Sequence, residues 1–116
     1  INMKKIYHID CTLRDGGYYN SWNFEEKTVK KYLECMNSLN IDYVEFGFRF
    51  LKDSKNLGPF ASTTEKLISK YKIPAKMKLA VMINIGEFSF KDLKFDLNKL
   101  FKDKTKSKIT LVRMPH

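Results

Sequence analysis

Leu79-Ala80-Val81-Met82-Ile83 is apolar at every position, so both faces of any strand it forms must be covered. Ile109-Thr110-Leu111-Val112-Arg113-Met114 reads the same way, apart from Thr110 and a terminal charge. Strands buried on both faces belong to parallel sheets wrapped by helices. Working outward, Tyr43-Val44-Glu45-Phe46-Gly47 is another strand and Ile6-Tyr7-His8-Ile9-Asp10-Cys11 the first, closed by a turn at Gly16-Gly17. Between strands the apolar period lengthens. Val29, Tyr32, Leu33, Met36 and Leu39 recur at three and four, as one face of a helix does. Asn23 with Glu26 and Ser62 with Glu65 are spaced as capping pairs. Ser62 then opens a helix through about Tyr71, ahead of Pro74. Ser89 opens a third helix, with Asp92 in its first turn and Phe90, Leu93, Leu97, Leu100 and Phe101 as its buried stripe.

The order β-α-β-α-β-α-β means parallel strands joined by right-handed crossovers. A small doubly wound sheet and a piece of a (β/α)8 barrel both fit. A whole barrel takes about 250 residues; this chain has 116. The expectation is one partial-barrel domain over 1–116, with four strands, three helices and no second domain.

Composition narrows the function. The hydrophobic fraction, 43%, supports a real core and excludes a disordered chain. No apolar run approaches the roughly 18 residues of a membrane span, and Lys4-Lys5 after Met3 is not an apolar leader. Cys11 and Cys35 lack metal-type spacing and read as reduced, buried thiols of a cytoplasmic protein. The net charge is +9, but the excess is mostly Lys spread along helix faces, densest over Lys99 to Lys108. Without a recognition motif that is a solvated surface, and no nucleic acid is expected.

Both architectures place sites at the carboxyl ends of their strands. Arg14-Asp15 follows the first strand, Glu45 lies inside the second with Arg49 beyond it, and Arg113 ends the fourth. Asp15 is a hard oxygen ligand of the kind Mg²⁺ or Mn²⁺ takes. Arg14 is able to stabilise an oxyanion or clamp a carboxylate. A surface ion pair beside a turn explains Arg14-Asp15 equally well at this level, as a structural ion pair explains Glu45. Three arginines near one mouth suit a carboxylate substrate. His8 and the terminal His116 are weak signals. Phe46, Phe48, Phe50 and Phe60 read as packing.

Asp10-Cys11-Thr12-Leu13-Arg14-Asp15-Gly16-Gly17 resembles the first strand of the DRE-TIM metallolyases, the HMGL-like or pyruvate carboxyltransferase-domain superfamily. That group includes hydroxymethylglutaryl-CoA lyase, isopropylmalate and citramalate synthases, and 4-hydroxy-2-oxovalerate aldolase. Val44-Glu45-Phe46-Gly47, Gly58-Pro59-Phe60-Ala61 and Val112-Arg113 are similar to later elements, in order. The resemblance implies the N-terminal half of a (β/α)8 barrel holding one divalent metal, Mn²⁺ or Mg²⁺. Arg14 would match the arginine at an enolate oxygen, Asp15 the first metal ligand and Glu45 the supporting glutamate. Successive parallel strands are usually neighbours, so Glu45 would hold the Arg14 guanidinium or a metal-bound water. Arg49, Arg113 and Tyr18 are the substrate-binding expectations. The implied chemistry is an aldolase (lyase) reaction at a carbon–carbon bond next to a small 2-oxo acid.

The sequence also departs from the family. Its His-x-His metal pair is absent here. Tyr18 stands where the aldolases carry a histidine base, and Gly17-Tyr18 where the synthases carry Glu-Gln. A Claisen-type acyltransferase and a non-catalytic half-barrel binding or assembly module are the other readings. Four strands alone expose two edges, so self-association is expected, as is an inactive 116-residue chain.

Overall fold

A computed structural model of the chain describes residues 5–52, 55–102 and 106–115. Met3 and His116 lie outside them, as does part of the Lys99–Lys108 run. The elements are β1 (Ile9–Asp10), α1 (Thr12–Asn20), α2 (Glu26–Ser38), β2 (Tyr43–Phe48), α3 (Glu65–Ile68), β3 (Lys78–Met82), α4 (Leu93–Leu100) and β4 (Ile109–Arg113), with 3₁₀ turns at Pro59–Ala61 and Ile85–Glu87.

The four strands form one parallel sheet in the order β1-β2-β3-β4. Each strand neighbours the next, with no reversal of order. A doubly wound sheet needs such a reversal, so the sheet matches half of a barrel. Val44, Phe46, Leu79 and Val81 are essentially inaccessible and join Val29 and Leu33 of α2 in one core. Burying a Leu or Phe side chain contributes about 1.5–3 kcal/mol. Among the described residues, no helix is long and apolar enough to cross a membrane.

The layout corrects several expectations. Gly16-Gly17 is no turn; both glycines lie inside α1, and the chain turns later at Ser21, which takes a left-handed conformation. Among the described residues the α-helices therefore number four where three were expected. Asn23 and Ser62 do not cap. The second helix starts at Glu26 without a side-chain cap, and Thr64 caps α3, accepting from the Leu67 amide at 3.1 Å. That helix ends at Ile68, short of Tyr71. Leu39 and Phe90 are exposed, at 65% and 98%. Phe90 precedes the first turn of α4, so the helical period does not carry it inward. Of the two thiols read as buried, Cys35 is exposed and Cys11 half-buried.

Gly47 accounts for an irregularity in β2. Its φ is +95°, and a Cβ there would lie 2.4 Å from the Phe60 carbonyl oxygen. The register of β2 on β3 shifts between Glu45 and Phe48 at this point. Thr63 Oγ1 shares its single proton among the Phe46, Phe48 and Phe60 carbonyls, at 2.8, 2.8 and 3.0 Å.

Candidate active site

At the carboxyl ends of the strands, α1 leaves β1 and packs against β2. Its first turn carries Arg14, whose Nε donates to Glu45 Oε1 at 2.5 Å. Glu45 sits inside β2 and is fully buried. Its other oxygen, Oε2, accepts from Arg113 Nη1 at 3.2 Å. Arg113 comes from β4, two strands away. The β3 residue in register with Glu45 is Ala80, whose methyl leaves space for that reach. One carboxylate thus joins two arginines from opposite ends of the sheet. Arg113 Nη1 also donates to Cys11 Sγ at 3.0 Å. Arg14 Nη1 lies 3.1 Å from Asp15 Oδ1.

A buried carboxylate needs pairing on this scale, since an uncompensated one is strongly destabilising. The arginines keep contact with the mouth: their side chains are 18% (Arg14) and 34% (Arg113) exposed. Burial alone would lower the Arg14 pKa. Hydrogen bonds to Cys11 and Glu45, with the charges of Glu45 and Asp15, outweigh it and raise the value. The guanidinium is therefore a permanent, aimed cation.

A second group holds the base of α1. Asp10 Oδ1 accepts the Thr12 amide at 3.0 Å and also the Tyr32 hydroxyl. Burial pushes the Asp10 carboxyl up, but the bonds from Tyr32 and Thr12 prevail and lower it. Burial and the neighbouring Asp10 raise the Tyr32 hydroxyl.

Tyr18 lies four residues beyond Arg14 on α1, hence on the same side of the helix. Its ring stands edge-on to Trp22 and Phe48, at centroid distances of 4.9 and 6.1 Å. Phe48 and Phe50 stack at 4.6 Å. Arg49 is not part of this constellation. Its Nε and Nη2 donate to the Thr63 carbonyl at 3.1 and 2.6 Å, and Nη1 to that of Leu100 at 3.2 Å. The guanidinium also lies 4.9 Å from the Phe101 ring centroid. An arginine so engaged ties α4 to the segment before α3. The sequence showed its charge and could not show which way it turns.

Among the described residues, no three His, Cys, Asp or Glu side chains cluster as a metal site. Asp15 is 66% exposed and already leans on Arg14. A single carboxylate of this kind suits one position of a hard cation's shell but does not make a site. Two features escaped the sequence reading. Trp22 Nε1 donates to the Arg14 carbonyl at 3.0 Å, and Tyr32 joins Asp10. The turn at Asp10-Cys11-Thr12 was open to inspection, because an Asp bonding the amide two residues on is a local motif. Nothing local pointed to Trp22 or Tyr32.

No protein-family model matches the chain, and no curated protein does. A solved structure does match: "the N-terminal domain of a putative aldolase from Bacteroides vulgatus". It superposes with a TM-score of 0.75 at 34% identity, over 94% of this chain and 35% of that one. The present chain spans about a third of the length of that relative.

Proposed function

We propose that the chain is the N-terminal part of an aldolase barrel that makes or breaks a carbon–carbon bond beside a 2-oxo acid through an enolate. One observation carries this reading. Arg14 is held at the strand mouth by a fully buried carboxylate, with its guanidinium still partly open. The similarity to the aldolase domain supports it.

Removing a proton next to a carbonyl places negative charge on the carbonyl oxygen. A cation already aimed at that oxygen stabilises the charge without reorganising. Arg14 would fill that role, Glu45 would hold its aim, and Arg113 would hold Glu45. The exposed part of Arg113 would face the substrate carboxylate, and Tyr18 would line the same side. A divalent ion would supply further positive charge at the reacting oxygen. Asp15 is the carboxylate this chain would lend to it, and the other ligands would have to come from elsewhere in a longer protein.

The test needs no knowledge of the second substrate. Full-length protein with Mg²⁺, which is diamagnetic, is incubated with pyruvate in D₂O, and loss of the methyl proton signal is followed by NMR. A base takes a methyl proton and solvent returns a deuteron, so the exchange is balanced without a co-reactant. Exchange that Arg14→Ala removes supports the proposal. A folded, metal-loaded protein with no exchange above buffer overturns it.

A further inference from the structure

Trp22 holds the Arg14 carbonyl and Glu45 its guanidinium, but the first amide of α1 is held by a single side-chain oxygen. Cys11, which flanks the helix, provides no side-chain cap. Asp10 does the work from one residue earlier, with Oδ1 accepting the amide of Thr12, the first residue of α1. The same oxygen accepts the hydroxyl of Tyr32 from α2. A hydroxyl donating to a carboxylate forms a charge-assisted bond, stronger than a neutral one. β1 is only two residues long, so the strand ladder itself grips this corner weakly. Two positions beyond Thr12 comes Arg14, whose Nε must meet Glu45.

We infer, on the reading of Arg14 given above, that Tyr32 and Asp10 are positioning residues: they lock the start of α1 and thereby set the aim of the Arg14 guanidinium. Neither need touch substrate. Tyr32 acts from the outer helix layer, through Asp10 and the Thr12 amide. A slackened first turn would let the guanidinium swing, and misplacing a catalytic group by about 1 Å costs on the order of a hundredfold. A tie that merely joins α2 to β1 would affect stability and leave the arginine's geometry alone.

Tyr32→Phe and Asp10→Asn in the full-length protein separate these roles. Pyruvate methyl exchange gives kcat and KM, and the NMR signal of the Arg14 Nε–H gives its exchange with water. Tyr32→Phe should lower kcat by about tenfold to a hundredfold, with KM within about twofold. It should also speed exchange of the Arg14 Nε–H. Asp10→Asn keeps an oxygen for the Thr12 amide and for the hydroxyl, so it should lose less on both readouts. If both variants keep wild-type Arg14 Nε–H exchange, the inference is wrong, whatever happens to kcat or to melting. The Nε–H readout uses no substrate. It therefore stands even if Arg14→Ala leaves methyl exchange untouched, a result that would remove the enolate role and not the positioning.

Discussion

The indole Nε1–H of Trp22 donates to the main-chain carbonyl oxygen of Arg14 at 3.0 Å. The residue proposed to face the substrate is thus held at both ends, its backbone by Trp22 and its guanidinium by Glu45. To reach back, the chain passes through two consecutive left-handed residues, Ser21 and Trp22, at φ 58° and 57°. Conformations of this kind cost L-residues about 1–2 kcal/mol each. The burial of Trp22 offsets them.

Gly17 makes that return possible. A Cβ at Gly17 would fall 1.8 Å from Trp22 Cδ1. In an exposed helix, Gly→Ala gains about 1 kcal/mol. Here Gly17→Ala should instead destabilise by about 1–3 kcal/mol, the range for overpacking. Urea unfolding of the full-length protein measures it, and an unchanged or higher midpoint would show that the indole moves aside freely.

Glu45→Gln would leave two guanidiniums around a neutral amide that can accept from only one side. Losing one partner of a buried ion pair costs about 3–5 kcal/mol. The loss should sit near the lower end, since both arginines can turn toward water. A change under about 1 kcal/mol, the worth of an exposed ion pair, would mean that Glu45 is not anchoring them.

Arg14→Lys should be nearly as damaging as Arg14→Ala, because Lys lacks the planar fork that bonds Glu45 while facing the mouth. The expected loss in turnover is on the order of 10²–10³, as for one oxyanion donor. Binding of the 2-oxo acid should fall much less. Near-normal turnover in Arg14→Lys would make Arg14 a general anion anchor.

The Tyr32–Asp10 pair predicts a stability change in alkali. The Tyr32 pKa is raised in the fold above its ordinary 10.0. Its contribution is therefore complete below about pH 10 and is lost as pH rises toward the folded value. Wild type should lose more stability between about pH 8 and about pH 11 than Tyr32→Phe does. Tyr71, raised by burial and then by Glu26, leaves a residual slope in both. Asp10 acts oppositely: its lowered pKa contributes stability above its ordinary 3.8, lost as pH falls below that. Equal alkaline losses in the two proteins would show that neither burial nor Asp10 raises the Tyr32 hydroxyl in solution.

Metal affinity checks the role proposed for Asp15. In the full-length protein, Asp15→Asn should weaken Mn²⁺ binding by at least about tenfold. Calorimetric titration measures it; an unaltered affinity would place every ligand on other residues.

Much of the sheet was legible in one dimension. Apolar runs such as Leu79–Ile83 must be covered on both faces, and alternation with helices makes their neighbours parallel. Strand boundaries shifted by a residue or more, and β1 shrank to Ile9–Asp10, because pairing sets a strand's ends. Helix ends were read less well. Gly16-Gly17 carries a local turn signal, and packing overrode it: Trp22 needs the missing side chain at Gly17, so the chain stays helical there and turns at Ser21. Phe90 belonged to an apolar period and remained in solvent, since its helix starts after it.

By itself the sequence determined the parallel α/β character, the strand order along the chain and the set of charges at the strand ends. Hydrophobic period and residue type are properties of neighbours in the chain, so no fold is needed to read them. The adjacency of successive parallel strands already directed Glu45 to Arg14; only the tertiary structure decided that Arg113 joins them and Arg49 does not. Arg14 and Glu45 are 31 positions apart, and Arg113 reaches the same carboxylate from 68 positions away. Arg49, with the same side chain, turns instead to the Thr63 and Leu100 carbonyls. A guanidinium pairs with whatever acceptor folding brings within about 3 Å, and that distance is settled by strand register and by small residues such as Ala80, not by spacing along the chain.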